Sequence, residues 1–390
     1  MTPAARQVPA ARYGERLERA RELGLRRRLD ALLIGVGADL RYLTGYEAMP
    51  LERLTMLVLP AAGPARLIAP LLEAAPARSC AAAAAGLVEV VTWQETDDPI
   101  ALAGELVAGS PVRRTGRLDA VAVSDRLAAA FVLPLQAALP GARFSLASAV
   151  LRELRMVKDA DEVALLCEAA HAADRVVAAI GAGPLAGRTE AEVSREVRDR
   201  LVAEGHETAS FAIVASGPNS ASPHHAASER RISPGEPIVL DIGGAMGGYG
   251  SDVTRTLWVT GGDRRREPGP EFRRLYTVLR DAQAAATAAV RPGRPAEAID
   301  AAARERIAAA GYGAAFIHRT GHGIGLEEHE DPYLVAGNHE ELRTGMAFSI
   351  EPGIYLEGRF GARIEDIVVC CPDGPDLLNE GSRELLVVDG

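Results

Sequence analysis

Residues 237–262 read PIVLDIGGAMGGYGSDVTRTLWVTGG, and this stretch decides the fold of the second part of the chain. Apolar runs on both sides of a glycine-rich turn predict a β-hairpin. Asp241 follows the apolar run 238–240, and Asp252 comes eleven residues later, across the turn. The two carboxylates can therefore project from neighbouring strands into one cavity. For either residue alone, the alternative interpretation is that it is an acidic residue of a β-turn with no functional role.

A second hairpin is predicted from residues 346–369, which read MAFSIEPGIYLEGRFGARIEDIVV. Glu351 precedes a Pro-Gly pair, which removes a backbone donor and allows a tight bend, so a strand-end side chain is fixed there. Glu365 lies in an apolar run, where an acid requires a partner. We favour a bound cation as that partner. An ion pair with Arg363 is the rival, because residues two apart share one face of a regular strand.

Two helices are predicted before the first hairpin. The first is capped by Asp159 or Asp161 and buries a stripe of residues at helical spacing: Val163, Leu166, Cys167, Ala170, Ala173, Val177 and Ile180. The second has Thr189 and Glu192 at the spacing of a capping box, and its buried line is Val193, Val197 and Leu201.

Two further helices are predicted over residues 271–290 and 295–311, before strands return. Helix, helix and strands therefore occur twice in the same order, which indicates a weak internal duplication. We expect this symmetry to bring the two hairpins, and the acids that they carry, together around a shared centre.

The first part of the chain carries alternating strand and helix signals. Strand candidates lie in residues 31–36, in LTMLVLP and in PARLIAPL, while VAVSDRLAAAFVLPLQAAL reads as a strand followed by a helix. This alternation predicts a small α/β domain. A chain of 390 residues exceeds what one core usually supports. We therefore expect two domains, residues 1–153 and 154–390, with the chemistry in the second.

Composition excludes several classes of protein. The net charge is −10, from 43 basic and 53 acidic residues. The composition therefore gives no sign of the basic surface that binds nucleic acid or an anionic membrane. The first 30 residues lack an apolar core, and no stretch reaches 18 uninterrupted apolar residues, so we expect a cytoplasmic protein. No CxxC spacing occurs among the cysteines, which we expect to be reduced and structural: Cys80, Cys167, Cys370 and Cys371. Lys158, the only lysine, does not lie in a P-loop motif.

Five side chains predict a metal centre: Asp241, Asp252, His322, Glu351 and Glu365. Four ionised acids in one pocket would repel each other strongly unless multivalent cations lay among them. The pattern therefore favours a two-metal hydrolytic centre. Mixed carboxylate and histidine ligands suit Mn, Co, Fe or Zn. The zincin motif HExxH is broken at Tyr333, and the nucleophile motif GxSxG is missing.

Other histidines are candidates for a role beside such a centre. His224 and His225 follow Pro223 in a loop, and His329 lies seven residues after His322. Imidazoles there could hold a carbonyl oxygen or transfer a proton. His318 lies in the same segment as His322 and is expected to support the ligands. The remaining histidines are predicted to be structural: His171, His206 and His339.

These motifs resemble those of the M24 metallopeptidases of pita-bread fold, particularly the Xaa-Pro dipeptidases (prolidases) and Xaa-Pro aminopeptidases. That family has D-x-G with a second Asp eleven residues on, then G-H-G-x-G, E-P-G-x-Y and R-x-E-D, and this chain has them in the same order. Residues 1–150 resemble the family's creatinase-type N-terminal domain. The resemblance implies an α+β protein, with a small α/β domain at 1–153 followed by a pita-bread catalytic domain at 154–390 with an internal pseudo-two-fold duplication.

The resemblance also implies a mechanism. Asp241 and Asp252 would hold one divalent metal, while Asp252, His322, Glu351 and Glu365 would complete a second, with Asp252 and Glu365 bridging. Manganese is the metal that we expect, with Co, Zn or Fe as alternatives. A hydroxide shared by the metals would attack the scissile carbonyl. Glu351 would transfer the proton. His224 and His329 would stabilise the oxyanion of the tetrahedral intermediate and the leaving nitrogen. Arg363 would either orient the ligands or contact a carboxylate of the substrate.

The implied activity is hydrolysis of the Xaa-Pro bond of dipeptides or of peptide N-termini, by a homodimer. The sequence departs from the family at Ser222, at Glu328 and in the run 211–216, which looks one residue shorter, so the wall of the substrate pocket is expected to differ. A metal-dependent amide hydrolase or lyase for small molecules, such as an ectoine-type hydrolase, is the main alternative. A metal-free creatinase-like hydrolase and a non-catalytic binding protein are disfavoured, because such relatives have lost ligands that this chain retains.

Overall fold

A computed structural model describes residues 8–109 and 119–389. The described residues form two compact units, one before Met156 and one from Met156 onward. Residues 1–7, which belong to the first 30 residues predicted to lack an apolar core, lie outside the described ranges. Within those ranges, no helix combines the length and the hydropathy needed to cross a bilayer.

The first unit is built on a six-stranded mixed sheet in the order β4-β3-β2-β1-β5-β6. Its strands are β1 (Ala31–Gly35), β2 (Met56–Pro60), β3 (Ala65–Pro70), β4 (Val88–Trp93), β5 (Ala120–Val123) and β6 (Arg143–Leu146). Its helices are α1 (Ala10–Arg26), α2 (Ala38–Thr44), α3 (Ala74–Ser79), α4 (Ala81–Ala84), α5 (Pro99–Ala108), α6 (Ala129–Ala138) and α7 (Ser148–Met156). The four predicted strand segments are all confirmed, and β1 is entirely buried, as its unbroken apolar run requires.

The second unit contains four long helices and eleven strands in its described residues. The helices are α8 (Ala160–Gly181), α9 (Glu190–Ala203), α10 (Pro270–Ala289) and α11 (Ala296–Ala309). The strands are β7 (Thr208–Ser216), β8 (Glu236–Met246), β9 (Tyr249–Val259), β10 (Gly321–Gly323), β11 (Glu330–Leu334), β12 (Ala347–Ile350), β13 (Gly353–Leu356), β14 (Phe360–Arg363), β15 (Asp366–Cys371), β16 (Gly374–Leu377) and β17 (Leu386–Val388). Short 3₁₀ turns occupy Leu71–Glu73, Gly217–Ala221, Arg264–Arg266 and Gly313–Ala315.

These strands form three sheets, in the orders β17-β9-β8-β7, β11-β10-β12-β15-β16 and β13-β14. Helices α8 and α9 precede the first of these sheets in the chain, and α10 and α11 precede the others. This repeated order confirms the predicted α+β class with an internal duplication. The first core lies between α8, α9 and the sheet of β7–β9, while the second surrounds α10 and α11.

The helix starts follow the predicted capping chemistry. Asp159 caps α8 and forms a capping box with Glu162, and Thr189 does the same for α9 with Glu192. The buried line of α9 is confirmed. The predicted stripe of α8 is wrong at Val163 and Cys167, which are only half-buried; the helix packs against both β8 and β9, so its buried face is broader and includes Leu165, Ala169, Ala172 and Val176.

The second hairpin is not the continuous pair that the sequence predicts. Strand β12 ends at Ile350 and β15 begins at Asp366, so Glu351 and Glu365 both lie just outside the strands. The ladder breaks where Pro352 offers no N–H donor. The freed backbone groups turn to other segments: Glu351 N–H donates to Thr320 (2.8 Å) and Glu365 N–H to Thr254 (3.1 Å). The second of these bonds joins the second hairpin to β9 of the first.

Two features away from the hairpins also bear on the sequence predictions. Lys158 is buried and forms an ion pair with Glu330, so the only lysine of the chain has a structural partner. All four cysteines are free thiols, with Cys80 and Cys370 buried and Cys167 and Cys371 partly buried.

Candidate metal centre

All eight residues predicted for the site line one cavity of about 460 Å³ in the second unit. They are Asp241, Asp252, His322, Glu351 and Glu365, the predicted ligands, with His224, His329 and Arg363. Other lining residues are Phe211, Ile213, Pro223, His318, Arg319 and Glu328. Residues separated by more than a hundred positions in sequence therefore meet at one place.

The first pair of acids owes its position to the register of β8 and β9. Asp241 is opposite Thr254, and Asp252 is opposite Gly243, so the two carboxylates are diagonal neighbours on adjacent strands. Gly243 is required there, because a Cβ would lie 2.4 Å from the Phe211 ring and 2.3 Å from the carbonyl oxygen of Ser251. The predicted hairpin with one acid on each strand is thus confirmed.

His322 is oriented by its own backbone neighbourhood. Its Nδ1–H donates to the carbonyl oxygen of Gly323 (3.1 Å), and its backbone N–H donates to Ser349 Oγ (3.1 Å). This leaves Nε2 facing the acids, 3.2 Å from Glu351 Oε1 and 3.7 Å from Asp252 Oδ2. Glycine at position 321 is essential to the arrangement, since a Cβ would lie 1.9 Å from the carbonyl oxygen of Ser349.

Several oxygens in the cavity are positioned for a cation. Asp252, His322 and Glu365 offer ligand atoms that all lie within 4.8 Å of one another. Thr254 donates its hydroxyl to Glu365 Oε2 (2.7 Å). Among the described residues, Glu365 Oε1 and Asp241 Oδ1 are buried without any hydrogen-bond partner. Leaving such atoms unpaired is costly, so two anionic oxygens aimed into the cavity fit divalent metal ions.

The electrostatics of the cluster support the same conclusion. Burial, together with the charges of Glu365 and Asp241, raises the pKa of Asp252 well above its usual range. Burial and the charge of Glu351 do the same to the pKa of Glu365. Burial would also raise the pKa of Glu351, but the hydrogen bond and charge of His322 outweigh it and lower that pKa to about 2. Without cations, the cluster can only relieve its repulsion by retaining protons.

Arg363 has a different partner from the one considered in the sequence. Its guanidinium donates to Asp241 Oδ2, not to Glu365, so the rival interpretation of an ion pair with Glu365, which we ranked below a bound cation, is wrong. Glu365 points to Thr254 because its backbone leaves the strand. The other donors of Arg363 bind Thr254 Oγ1 (3.1 Å), Tyr355 Oη (2.7 Å) and the carbonyl oxygen of Pro223 (3.3 Å). Burial opposes its charge, but Tyr355 and Asp241 raise the pKa of Arg363 well above its usual value.

Four other histidines of this region have different surroundings. His318 donates Nδ1–H to the carbonyl oxygen of Arg319 (2.7 Å), so its Nε2 accepts from the Tyr355 hydroxyl (2.9 Å), and burial lowers its pKa. His329 packs against His322, with ring centroids 4.0 Å apart, and desolvation and the charge of His322 lower its pKa to about 4. His224 lines the cavity, whereas His225 turns away to Glu190 (2.8 Å).

Three structural residues of this region were given no role in the sequence analysis, although Tyr355 is the tyrosine of the E-P-G-x-Y motif. Tyr355 joins Arg363 to His318, Thr254 joins Arg363 to Glu365, and Glu190 holds the loop that carries His224. Alternation along β9 places Thr254 on the same face as Asp252, which was a usable signal. Nothing local marks Glu190, because its partners lie 26 to 38 residues further along the chain. Ser222, expected to alter the pocket wall, is exposed and does not line the cavity.

Comparisons with known proteins extend over nearly the whole chain. Residues 164–371 match the model of Metallopeptidase family M24, and residues 16–157 match that of the Creatinase/Prolidase N-terminal domain. The probable dipeptidase PepE of Mycobacterium tuberculosis is 47% identical over 385 residues, which cover 98% of this chain and 99% of that protein. The Xaa-Pro dipeptidase of Lactobacillus helveticus is 35% identical over 366 residues, 92% of this chain and 95% of that one. The crystal structure of dipeptidase PepE from Mycobacterium ulcerans superposes with a TM-score of 0.89 at 47% identity, covering 98% of this chain and 99% of that one.

Proposed function

Because this chain belongs to metallopeptidase family M24, we propose that it is a dinuclear-metal exopeptidase that hydrolyses the Xaa-Pro bond of dipeptides or of peptide N-termini. Residues 1–153 would be its creatinase-like domain and residues 154–390 its catalytic domain of pita-bread fold. The observation that carries the proposal is the pair of buried carboxylate oxygens, on Asp241 and Glu365, that have no partner among the described residues. They lie in the cavity where the family motifs converge.

The residues present fit two divalent ions. Asp241 and Asp252 would hold one, while Asp252, His322, Glu351 and Glu365 would hold the other. When bound, such ions lower the pKa of a shared water toward neutrality and polarise a carbonyl group. Manganese is the ion that we propose, with Co, Zn or Fe as alternatives, since all suit mixed carboxylate and imidazole ligands.

The remaining residues divide the work of peptide hydrolysis. Glu351 would accept and return the proton, because its carboxylate lines the cavity beside the other proposed ligands, 3.2 Å from His322 Nε2. His329 would stand as a neutral imidazole at the cavity wall, able to donate to a developing oxyanion, and His224 lines the same space. Arg363 would orient Asp241, since its donors are already engaged in the free protein.

Proline at the second substrate position is supported by the relatives and by the cavity wall. The Lactobacillus helveticus protein is named an Xaa-Pro dipeptidase. Phe211, Ile213 and Pro223 give the cavity an apolar side that suits a pyrrolidine ring. An Xaa-Pro bond has no N–H, so a site that holds the proline ring does not depend on that hydrogen bond. The homodimeric state and cytoplasmic location expected from the sequence stay predictions.

The test is an assay of manganese-loaded protein on Ala-Pro, Ala-Pro-Ala and the control Ala-Ala. Cleavage that requires proline supports the proposal, and its loss on chelation with recovery on re-addition of manganese ties it to metal. Turnover of Ala-Pro alone indicates a dipeptidase, and turnover of Ala-Pro-Ala an aminopeptidase. No proline-dependent cleavage by metal-loaded protein would eliminate the proposal and favour a hydrolase for small molecules.

A further inference from the structure

Two arginines line the cavity, and only one of them is occupied by protein partners. The guanidinium of Arg363 is buried and directs its N–H donors at Asp241, Thr254, Tyr355 and the carbonyl oxygen of Pro223. A guanidinium has five N–H donors. Arg363 therefore has no free edge for an anionic ligand unless it gives up contacts that hold the metal centre together.

Arg319 is in the opposite situation. Across residues 8–109 and 119–389, its side chain has no hydrogen bond or ion pair, although it lines a cavity rich in carboxylates. Its guanidinium carbon lies 4.4 Å from the ring centroid of Tyr333. Stacking on an aromatic face is favourable for arginine and leaves the N–H edge of the guanidinium free to donate.

The backbone beneath Arg319 is fixed by several hydrogen bonds. Its carbonyl oxygen accepts Nδ1–H of His318 (2.7 Å), and the next residue, Thr320, donates both its backbone N–H (3.1 Å) and its hydroxyl (2.8 Å) to Asp300. Arg304 pairs with Asp300 and donates to the carbonyl oxygen of His318 (2.7 Å). The cation is therefore presented from a rigid segment three residues before His322, which makes it part of a built site.

Charge balance shows what this cation would bind. The other charged lining residues, besides Arg363, are the acids of the metal centre and the exposed Glu328. The C-terminal carboxylate of a dipeptide lies only one residue from the scissile bond, so it would lie within this cavity, where Arg319 is the lining cation whose N–H donors have no protein partner among the described residues. In a longer peptide the carboxylate moves about 3.5 Å further for each residue, so a fixed cation distinguishes the two lengths.

Building on the proposed function, we propose that Arg319 is the subsite for the C-terminal carboxylate of the substrate and that the natural substrates are Xaa-Pro dipeptides. Arg319 is then a specificity-determining residue: it binds the substrate and takes no part in bond cleavage. A charge-assisted pair between guanidinium and carboxylate is among the stronger hydrogen-bonded contacts in proteins. An amide at the same end of the substrate would forfeit it.

The experiment compares Ala-Pro with Ala-Pro amide, which share the scissile bond and differ only in the terminal charge. Wild-type protein loaded with manganese is expected to prefer Ala-Pro by about 10- to 100-fold in kcat/KM. Arg319→Gln should abolish that preference by raising KM for Ala-Pro, with kcat/KM for the amide within about twofold of wild type. Arg319→Lys should retain part of the preference, because the charge remains without the bidentate edge.

A second measurement is inhibition by free L-proline and by L-prolinamide. Arg319→Gln should weaken inhibition by proline and leave prolinamide unchanged. Arg274→Gln, which removes an exposed cation from α10, is the matched control and should alter neither comparison. If wild type cleaves both substrates equally, or if Arg319→Gln slows both equally, the carboxylate subsite is refuted while the peptidase proposal stands. If wild type cleaves neither, the peptidase proposal fails and this subsite fails with it.

Discussion

Arg363 on β14 donates to the carboxylate of Asp241 on β8, so the second hairpin of the catalytic unit holds an acid of the first. The same guanidinium reaches Thr254, whose hydroxyl donates to Glu365. One arginine therefore links acids from both halves of the duplication. Partners of metal ligands usually tune metal affinity and ligand orientation.

The first prediction concerns this link. Arg363→Lys should lower kcat/KM about 10- to 100-fold and weaken retention of metal, because an ammonium cannot reproduce donors aimed in fixed directions at several acceptors. The measurements are steady-state kinetics and metal content after dialysis. Arg359→Lys is the control, since Arg359 lies near β14 but is exposed and pairs with Glu271 at the surface. Unchanged metal content in Arg363→Lys would contradict the assigned role.

The second prediction uses the repulsion inside the acid cluster. Asp252→Asn should reduce the metal bound per chain and abolish activity, yet leave the metal-free protein as stable as wild type or more stable by about 1–2 kcal/mol. The reason is that burial and the charges of Glu365 and Asp241 make an ionised Asp252 unfavourable without metal. Elemental analysis and urea unfolding in the presence of a chelator measure the two effects. The control is Asp281→Asn, at an exposed acid.

An Asp252→Asn variant that keeps wild-type metal content would argue against a ligand role. A metal-free variant that unfolds at much lower urea than wild type would instead show that Asp252 stabilises the fold through its charge. The expected combination, weaker metal binding without loss of stability, distinguishes a functional acid from a structural one.

The third prediction concerns Glu190, the buried carboxylate that organises the loop of His224. It accepts hydrogen bonds from the backbone and hydroxyl of Ser216 (2.8 and 2.7 Å) and of Ser228 (3.1 and 2.6 Å), and from Asn219 and His225. Glu190→Gln replaces an acceptor oxygen with an amide donor among these groups. We expect a loss of about 2–4 kcal/mol in unfolding free energy at pH 7, together with a lower kcat/KM.

This loss should depend on pH. Burial opposes ionisation of Glu190, but the hydrogen bonds from Ser228 and Ser216 outweigh it and lower the pKa to about 2. A carboxylate whose folded pKa is depressed stabilises the protein above its unfolded pKa, near 4.5, and this contribution is lost as the pH falls toward 2. The difference between wild type and Glu190→Gln should therefore be full at pH 7 and smaller at pH 3.5. Glu196→Gln, on the same helix at a surface ion pair, should change stability by less than about 0.5 kcal/mol at both pH values.

The fourth prediction separates His329 from the ligands. His329→Gln should lower kcat about 100-fold while metal content stays at the wild-type level, because the ring packs against His322 and faces the cavity without being one of the proposed ligands. His339→Gln is the control, since His339 is exposed and pairs with Glu297. Loss of metal in His329→Gln would show that the residue belongs to the coordination sphere.

The residues that meet in the cavity were predictable as a set, because each lies in a short segment whose local chemistry is unusual. Asp241 and Asp252 sit on strands whose glycine turn fixes their register, and Glu351 precedes a Pro-Gly pair. The helix starts at Asp159 and Thr189 were predictable for the same reason, since capping depends on residues three apart.

The hydrogen-bond partners of those residues were not predictable, because they depend on contacts between distant segments. In a regular strand Arg363 and Glu365 would share one face, but the ladder breaks at Pro352. As a result Arg363 donates to Asp241, while Glu365 accepts from Thr254. The broader buried face of α8 likewise depends on which strands pack beneath it. Helical periodicity marks a buried stripe but does not give its width when a sheet lies underneath.

The buried pair of Lys158 and Glu330 has a practical consequence for labelling. Lys158 carries the only ε-amine in the sequence, and its side chain is 1% exposed. Acylating reagents such as N-hydroxysuccinimide esters should therefore spare every side-chain amine of the native chain and attach only at its α-amino end. Once the second unit opens, that lysine becomes reactive, so a second covalent tag, in addition to the one at the α-amino end, would report the unfolded fraction at one defined position when counted by mass spectrometry.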